Sequence, residues 1–410
     1  MKNVPFKRFL VNRNGGMWGS EPGSDEFDVL CIRVADFDYE NLKTKASAST
    51  VRSITEKQLQ KNQLHDGDIL LEKSGGGEKT PVGRAVYYSG NDDAICSNFI
   101  ERLTVNQQTL NPKFACYILS AAYSQRKNLD CIKQTTGIQN LSVDDYLSSV
   151  TIPLFDIETQ KRITKWLDKQ LSKVAQVITA KQAQLQKLST YRQSLITRAV
   201  TKGLDGDHQT SFIPLKYLAK LNPDVEQAMS DEIEYLPMEK VKNGMFLHHS
   251  DKLANLPPSL NSFEDGDILL AKVTPCFENG NICLAENCKG GVGRCSTELF
   301  VLRPNPQKVM PKFLMLLLQT QSFKQEAACQ MRGTGGLKRI PADWLCNYKF
   351  PIPSLEKQKQ IVEYMASKHS NLDGLTKKIK DSICLLNDYR SSLISAAVTG
   401  QLAIDEEASA

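Results

Sequence analysis

Three groups of residues have types that do chemistry. Asp66 and Asp68, and again Asp265 and Asp267, flank a glycine in the sequence Asp-Gly-Asp. Gathered carboxylates hold the metal ions of nucleases. Asp-Gly-Asp ahead of an apolar run is also an ordinary turn, and the turn is the reading adopted. Cys276, Cys283, Cys288 and Cys295 form a second group, spaced C-x6-C-x4-C-x6-C. Structural zinc favours cysteine pairs two to four residues apart, so no metal is assigned. The histidines His65, His208, His248, His249 and His369 have neither triad nor metal spacing, and the pair His248-His249 is expected in an exposed loop. Ser74-Gly75-Gly76-Gly77 lacks the Lys-Ser/Thr that completes a phosphate loop and reads as a flexible hairpin tip. There is no strand-linked G-x-G-x-x-G. Nor is there an Asn/Asp-Pro-Pro-aromatic tetrapeptide, the loop with which DNA amino-methyltransferases hold a flipped base.

The elements that would position any site repeat along the chain. DGDILLEK (Asp66 to Lys73) returns as DGDILLAK (Asp265 to Lys272), 199 residues later. At the same offset Cys96-Ser97 returns as Cys295-Ser296, Pro112-Lys113-Phe114 as Pro311-Lys312-Phe313, and Thr135-Thr136-Gly137 as Thr334-Gly335-Gly336. After a slip of one residue, Pro153-x4-Glu158-x-Gln160 matches Pro351-x4-Glu356-x-Gln358. Tyr191-Arg192-x-Ser194-Leu195-Ile196 then matches Tyr389-Arg390-x-Ser392-Leu393-Ile394. A period this long is a duplicated domain, not a solenoid. The expected boundaries are 1–150 and 205–350 for the globular parts, with 151–204 and 351–410 for the helices that follow them.

In each globular part short apolar runs between turn signals read as strands, such as ILL, AVYY and CSNFIERLTV. A helix is expected after each Pro-Lys-Phe: CYILSAAYS in the first copy, LMLLLQTQS in the second. From Glu158 to Gly203 there is no proline, and glycine comes only at the end. Leu167, Leu171, Val174, Ile178, Lys181, Leu185, Leu188, Arg192, Leu195 and Ala199 alternate by four and three, a heptad seam. Met365, His369, Leu372, Thr376, Ile379, Ile383, Leu386, Arg390, Leu393 and Ala397 continue the same phase in the second copy. A helix of about 46 residues, roughly 70 Å long, cannot bury its seam in a small domain. Its natural partner is the other copy, paired antiparallel, with Leu185 and Leu188 buried between the two. The fold class expected is mixed α/β (α+β), with two globular domains joined by two long antiparallel coiled-coil helices.

Composition excludes whole classes. A chain of 410 residues holds two or three domains, and 41% apolar with 24% charged residues is ordinary for a globular protein. The longest apolar run, Phe313 to Leu318, is far short of the roughly 18 residues of a membrane span. The start, MKNVPFKRFLV, has no apolar stretch of signal-peptide length. Eleven scattered cysteines suit reduced thiols in a cytoplasm. The net charge is +5, but residues 151–204 carry 10 basic and 3 acidic side chains while both globular parts are nearly neutral. Binding to nucleic acid would therefore rest on local basic patches.

The ordered pair of Pro-x4-Glu-x-Gln motifs, each opening a long helix after a dissimilar globular part, resembles the specificity subunits of type I restriction–modification enzymes. The resemblance covers essentially the whole chain. IPLFDIETQKRI and FPIPSLEKQKQI look like the family's openings of the spacer helix, and YRQSLITRAVTKGL and YRSSLISAAVTGQL like its ends. It implies that each globular part is a target-recognition domain reading one half of a split, asymmetric site in double-stranded DNA. It implies that the helices set the gap and dock two methyltransferase subunits, which restriction/translocase subunits join. It implies no catalytic residue here; S-adenosylmethionine, ATP and magnesium belong to partner subunits.

The candidate DNA-binding residues are the repeated basic, small or polar ones: Lys73, Thr135, Thr136 and Gly137, and Lys272, Arg332, Thr334, Gly335, Gly336, Lys338 and Arg339. Glycine permits close backbone approach and the cations meet phosphate. The candidates for methyltransferase docking are Glu158, Gln160, Tyr191 and Arg192, with Glu356, Gln358, Tyr389 and Arg390. The row Lys161, Lys165, Lys169, Lys173 is a solvated face or follows spacer phosphates. Two rival classes are a self-sufficient modification enzyme, tested by methylation with the isolated chain, and a coiled-coil scaffold binding only proteins, tested by salt-dependent DNA binding.

Overall fold

A computed structural model describes residues 3–90, 93–134, 137–204, 206, 210–225, 232–242, 244–334, 336–402 and 404. The chain forms two compact units, residues 1–182 with 380–410, and residues 183–379. The fold is mixed α/β in both.

In the first unit the strand Ile69–Glu72 is buried along its whole length, which is why residues 69–71 read as an unbroken apolar run, while the buried Glu72 meets Arg84 at 3.0 Å. It lies between Ile100–Val105 and Ala85–Tyr87 in a six-stranded sheet. The Asp-Gly-Asp before it is a turn, as its sequence suggests. Gly67 has φ +95°, and the buried Asp68 carboxylate accepts the His65 N–H at 2.8 Å. The helix Pro112–Ser124 packs Phe114, Ala115 and Leu119 into the core. Asn111 caps it, accepting the Phe114 N–H, and proline takes the first position, where no N–H is needed.

The second unit repeats this frame. Its strand Ile268–Ala271 is again fully buried, between Leu299–Pro304 and Ile282–Leu284. Ile268 faces Leu302 as Ile69 faces Leu103. Asp267 accepts the Glu264 N–H at 2.9 Å, closing the same turn, and also holds Arg303. Cys283, Cys288 and Cys295 lie in an apolar cluster with Phe263, Leu269 and Val301. Burial pushes the Cys283 thiol up to about 12. Among the described residues no three His, Cys, Asp or Glu are grouped to hold a metal.

The single helix expected after Pro311-Lys312-Phe313 is two helices, Pro311–Leu318 and Gln321–Gln330. The break comes where the buried Thr320 hydroxyl donates to the Leu317 carbonyl at 2.7 Å, a local bond that competes with helix continuation.

Two long helices span Ile157–Lys202 and Leu355–Val398. Asp156 opens the first by accepting the Thr159 N–H at 2.7 Å. Gly203 and Gly400, at φ +68° and +76°, close them. In the first unit the early turns of the first helix share a core with the late turns of the second: Ile163, Leu167 and Leu171 with Leu393, Ile394 and Ala397. In the second unit Ile196, Ala199 and Val200 share a core with Ile361 and Met365, while Arg192 pairs with Asp373. One residue number rises as the other falls, so the helices are antiparallel there. Every seam position is buried or half-buried. Leu185 and Leu188, expected to be buried, are only half-buried. Among the described residues no helix is long and apolar enough to cross a membrane.

Candidate nucleic-acid interface

In the first unit the strands Ile132–Gln134 and Gln139–Leu141 form a hairpin. Its second strand pairs with Ser74–Gly75, and Leu141 donates its N–H to the Lys73 carbonyl at 2.8 Å. The Ser74 to Gly77 segment is thus no free hairpin tip: its first half is a sheet edge that carries the candidate loop. In the second unit Arg332 and Arg339 pair across a similar turn, and Arg339 also pairs with Val273. Ile340 donates to the Lys272 carbonyl at 2.9 Å. Positions 141 and 340, and 73 and 272, are 199 apart, so an equivalent bond anchors the loop in each unit. The two stretches of candidates, distant in sequence, are thereby brought together in each unit. Gly137 and Gly336 have φ +80° and +81°, a conformation glycine adopts without steric cost. Thr135, Thr136 and Gly335 lie outside the described residues. Thr334 is exposed.

The electrostatics modify the sequence reading. Lys73 is not a free phosphate contact, because its ammonium donates to Glu101 at 2.8 Å. Arg13 reaches the same carboxylate at 3.1 Å and Asp144 at 3.0 Å. Lys7, and after it Arg13, pull the Asp144 carboxyl down to about 2. The residue equivalent to Glu101 is Phe300, and Lys272 lies over its ring at 5.5 Å. Arg339 is held by Glu298, with Nε to Oε2 at 2.9 Å and Nη2 to Oε1 at 2.6 Å. The guanidinium keeps the Glu298 carboxyl below the usual range. Lys338 fixes the turn through its backbone, donating its N–H to the Thr274 hydroxyl at 2.9 Å. The side chains of Arg332 and Lys338 are exposed, and neither has an ion pair among the described residues. The carboxylate partners Glu101 and Glu298 were not legible in the sequence: strand register brings Glu101 to its cation, and Glu298 meets Arg339 from the turn just before the strand Leu299–Pro304.

The helix-end candidates divide into two kinds. Glu158 and Glu356 are exposed in the first turns, Glu158 bonded to Lys161 at 2.8 Å. Tyr191 and Tyr389 are 53% and 55% exposed. Gln160 and Gln358 are corrected: both are buried and bonded internally, so neither offers a docking surface. Arg192 is taken up by Asp373, and Arg390 by the carbonyls of Tyr39 and Glu40. Burial lowers the affinity of Arg390 for its proton. These arginines join the helices to their surroundings instead of facing outward.

Two solved structures share this fold over 98% of the chain at 14% identity. One comes from work on complex assembly and conformational transition of a type I R-M system, with a TM-score of 0.71 and 98% of that chain covered. The other is the HsdS subunit from Thermoanaerobacter tengcongensis, with a TM-score of 0.51 and 97% covered. In sequence, the type I restriction enzyme EcoEI specificity subunit of Escherichia coli is 33% identical over 155 residues. That match covers 37% of this chain and 26% of the relative, so it spans about a quarter of that protein's length. The MjaVIII specificity subunit of Methanocaldococcus jannaschii is 24% identical over 388 residues, covering 87% of this chain and 83% of that one. The type I restriction modification DNA specificity domain matches residues 32–187 and again residues 259–384, well over half of the chain, and the chain belongs to that family.

Proposed function

We propose that the chain is the sequence-specific DNA-binding subunit of a type I restriction–modification complex. Each globular part reads one half of a bipartite, asymmetric site in double-stranded DNA. The long helices set the gap between the halves. They dock two methyltransferase subunits, to which restriction subunits add. The observation that carries the reading is the duplicated hairpin, anchored on the carbonyl of Lys73 in one unit and of Lys272 in the other. Two copies of one presenting device, with different side chains around them, suit two different half-sites. Exposed Arg332 and Lys338 supply phosphate contacts in the second. Exposed Tyr191, Tyr389, Glu158 and Glu356 supply repeated docking points at the helix ends.

In this reading the chain performs no chemistry. S-adenosylmethionine, ATP and magnesium act on partner subunits, and the complex works in the cytoplasm. The test is modularity: residues 205–350 are exchanged for the equivalent domain of a relative, and methylated bases are mapped genome-wide. One half of the methylated motif changes and the other stays. A change in both halves, or loss of salt-dependent DNA binding by the unexchanged complex, contradicts the reading.

A further inference from the structure

Ile138 and Leu337 stand one position beyond the repeated glycines, 199 residues apart, and both are large apolar side chains left in water. Ile138 is 49% exposed and Leu337 55% exposed. A single exposed aliphatic residue is commonplace. Its recurrence at the same register of two hairpins, in loops that otherwise share only the threonine at 135/334 and the glycine at 137/336, is not explained by chance exposure. Each follows a glycine at φ near +80°. Each also precedes the stretch anchored on the Lys73 or Lys272 carbonyl, so the tip is presented on a fixed base. In the second unit Thr274 stiffens the tip further, donating its hydroxyl to the Gly336 carbonyl at 2.8 Å and accepting the Lys338 N–H.

We propose that Ile138 and Leu337 are base-contacting residues, each making the apolar part of the readout of its own half-site. The proposal rests on the DNA-binding reading above and names the chemistry at its centre. Charge complementarity selects the occupant. Lys133 is exposed beside the first tip, and Arg332 and Lys338 flank the second. A cation rim that meets phosphates around an apolar tip suits a nucleic-acid groove. There the thymine methyl group and the unstacked faces of base steps are the apolar surfaces available.

The test uses the full chain reconstituted with its methyltransferase subunits, and duplexes carrying the motif mapped in cells. Ile138→Ser and Leu337→Ser are expected each to weaken specific binding about tenfold, the scale of losing one buried aliphatic contact. Each is expected to relax methylation in one half of the motif only, and a different half for each variant. The salt dependence of binding stays as in the unaltered protein, because an apolar contact releases no counterion. Lys338→Gln, by contrast, flattens the slope by about one. Leu337→Met, which keeps the apolar bulk, retains most of the affinity.

Serine variants that bind and methylate like the parent, while Lys338→Gln still weakens binding, would sink the apolar contact and leave the DNA reading standing. A serine variant with a clearly lowered melting temperature would likewise overturn it, by showing that the side chain holds the hairpin together. If the unaltered complex shows no salt-dependent binding to duplex DNA, the DNA reading fails and this proposal fails with it.

Discussion

Gln160 and Gln358 make the same three hydrogen bonds in their respective units. Gln160 accepts the Asn111 N–H at 2.8 Å and donates its amide to the carbonyls of Thr109 and Phe155, both at 3.0 Å. Gln358 accepts the Met310 N–H at 2.8 Å and donates to Lys308 and Pro353, both at 3.0 Å. Each side chain ties the opening turn of a long helix to the loop that starts the helix of the globular part. The glutamine is buried in each unit, and its amide is the side-chain partner of all three backbone groups. Replacing either glutamine by methionine keeps the volume and removes every bond. An unsatisfied buried polar group costs about 1–3 kcal/mol, and part of this set is within reach of water, so Gln160→Met or Gln358→Met is expected to lose about 1–3 kcal/mol. Denaturant unfolding measures it; a loss under about 1 kcal/mol contradicts the assignment.

Glu298 holds Arg339 beside the candidate loop. Neutralising it frees the guanidinium for phosphate. Glu298→Gln is expected to tighten non-specific binding to duplex DNA a few-fold and to steepen its salt dependence by about one. Anisotropy titrations across a range of potassium chloride concentrations read both quantities. Weaker binding at every salt concentration would mean that the pair shapes the loop and does not screen its charge.

Asp144, between Lys7 and Arg13, titrates near 2 and not near its ordinary 3.8. A carboxyl whose folded value is depressed adds stability that is present above the unfolded value. That contribution is lost as the pH falls from 3.8 towards 2. Asp144→Asn is therefore expected to remove part of the acid-induced destabilisation in this window. Melting temperatures of both proteins, taken between pH 5 and 2, should converge at the acid end. Parallel curves would refute the coupling.

Cys329 and Cys384 are the exposed thiols among eleven free cysteines. Cys31, Cys96, Cys116 and Cys283 are buried, and burial raises each towards 11 or 12, so little thiolate forms there. A thiol reagent at pH 8 is expected to label Cys329 and Cys384 in a fast phase, and those four only on unfolding. A fast phase that survives in the Cys329→Ser, Cys384→Ser double variant would contradict this.

Much of the architecture is written in the sequence because it depends on local or periodic signals. The two long helices follow from an unbroken proline-free stretch and a seam alternating by four and three. Asp-Gly-Asp makes its turn with its own neighbours, the second aspartate reaching back three residues. The duplication is visible as a constant offset, and with it the equivalence of the hairpins at 132–141 and 332–340. Charge also made clear that no globular part is uniformly basic.

Tertiary structure decided which side chains are spoken for. Lys73 and Glu101 are 28 residues apart and meet only because Ile100–Val105 pairs with the strand ending at Glu72. A shift of one residue in that register would turn Glu101 to the other face. Gln160 and Gln358 sit in the first turn of a helix, where a polar residue ordinarily faces water; the loops packed over them make them internal bonds. Arg192 and Arg390 occupy seam positions where the sequence shows a charge but not the Asp373 or the carbonyls that receive it. Ile138 and Leu337 show the reverse case, since aliphatic residues are expected inside and only the path of the chain leaves them outside. The sequence by itself determines periodicity, turns and repeats, which are properties of neighbours along the chain. Pairing and exposure belong to neighbours in space, and those were set by strand register and by the packing of each unit.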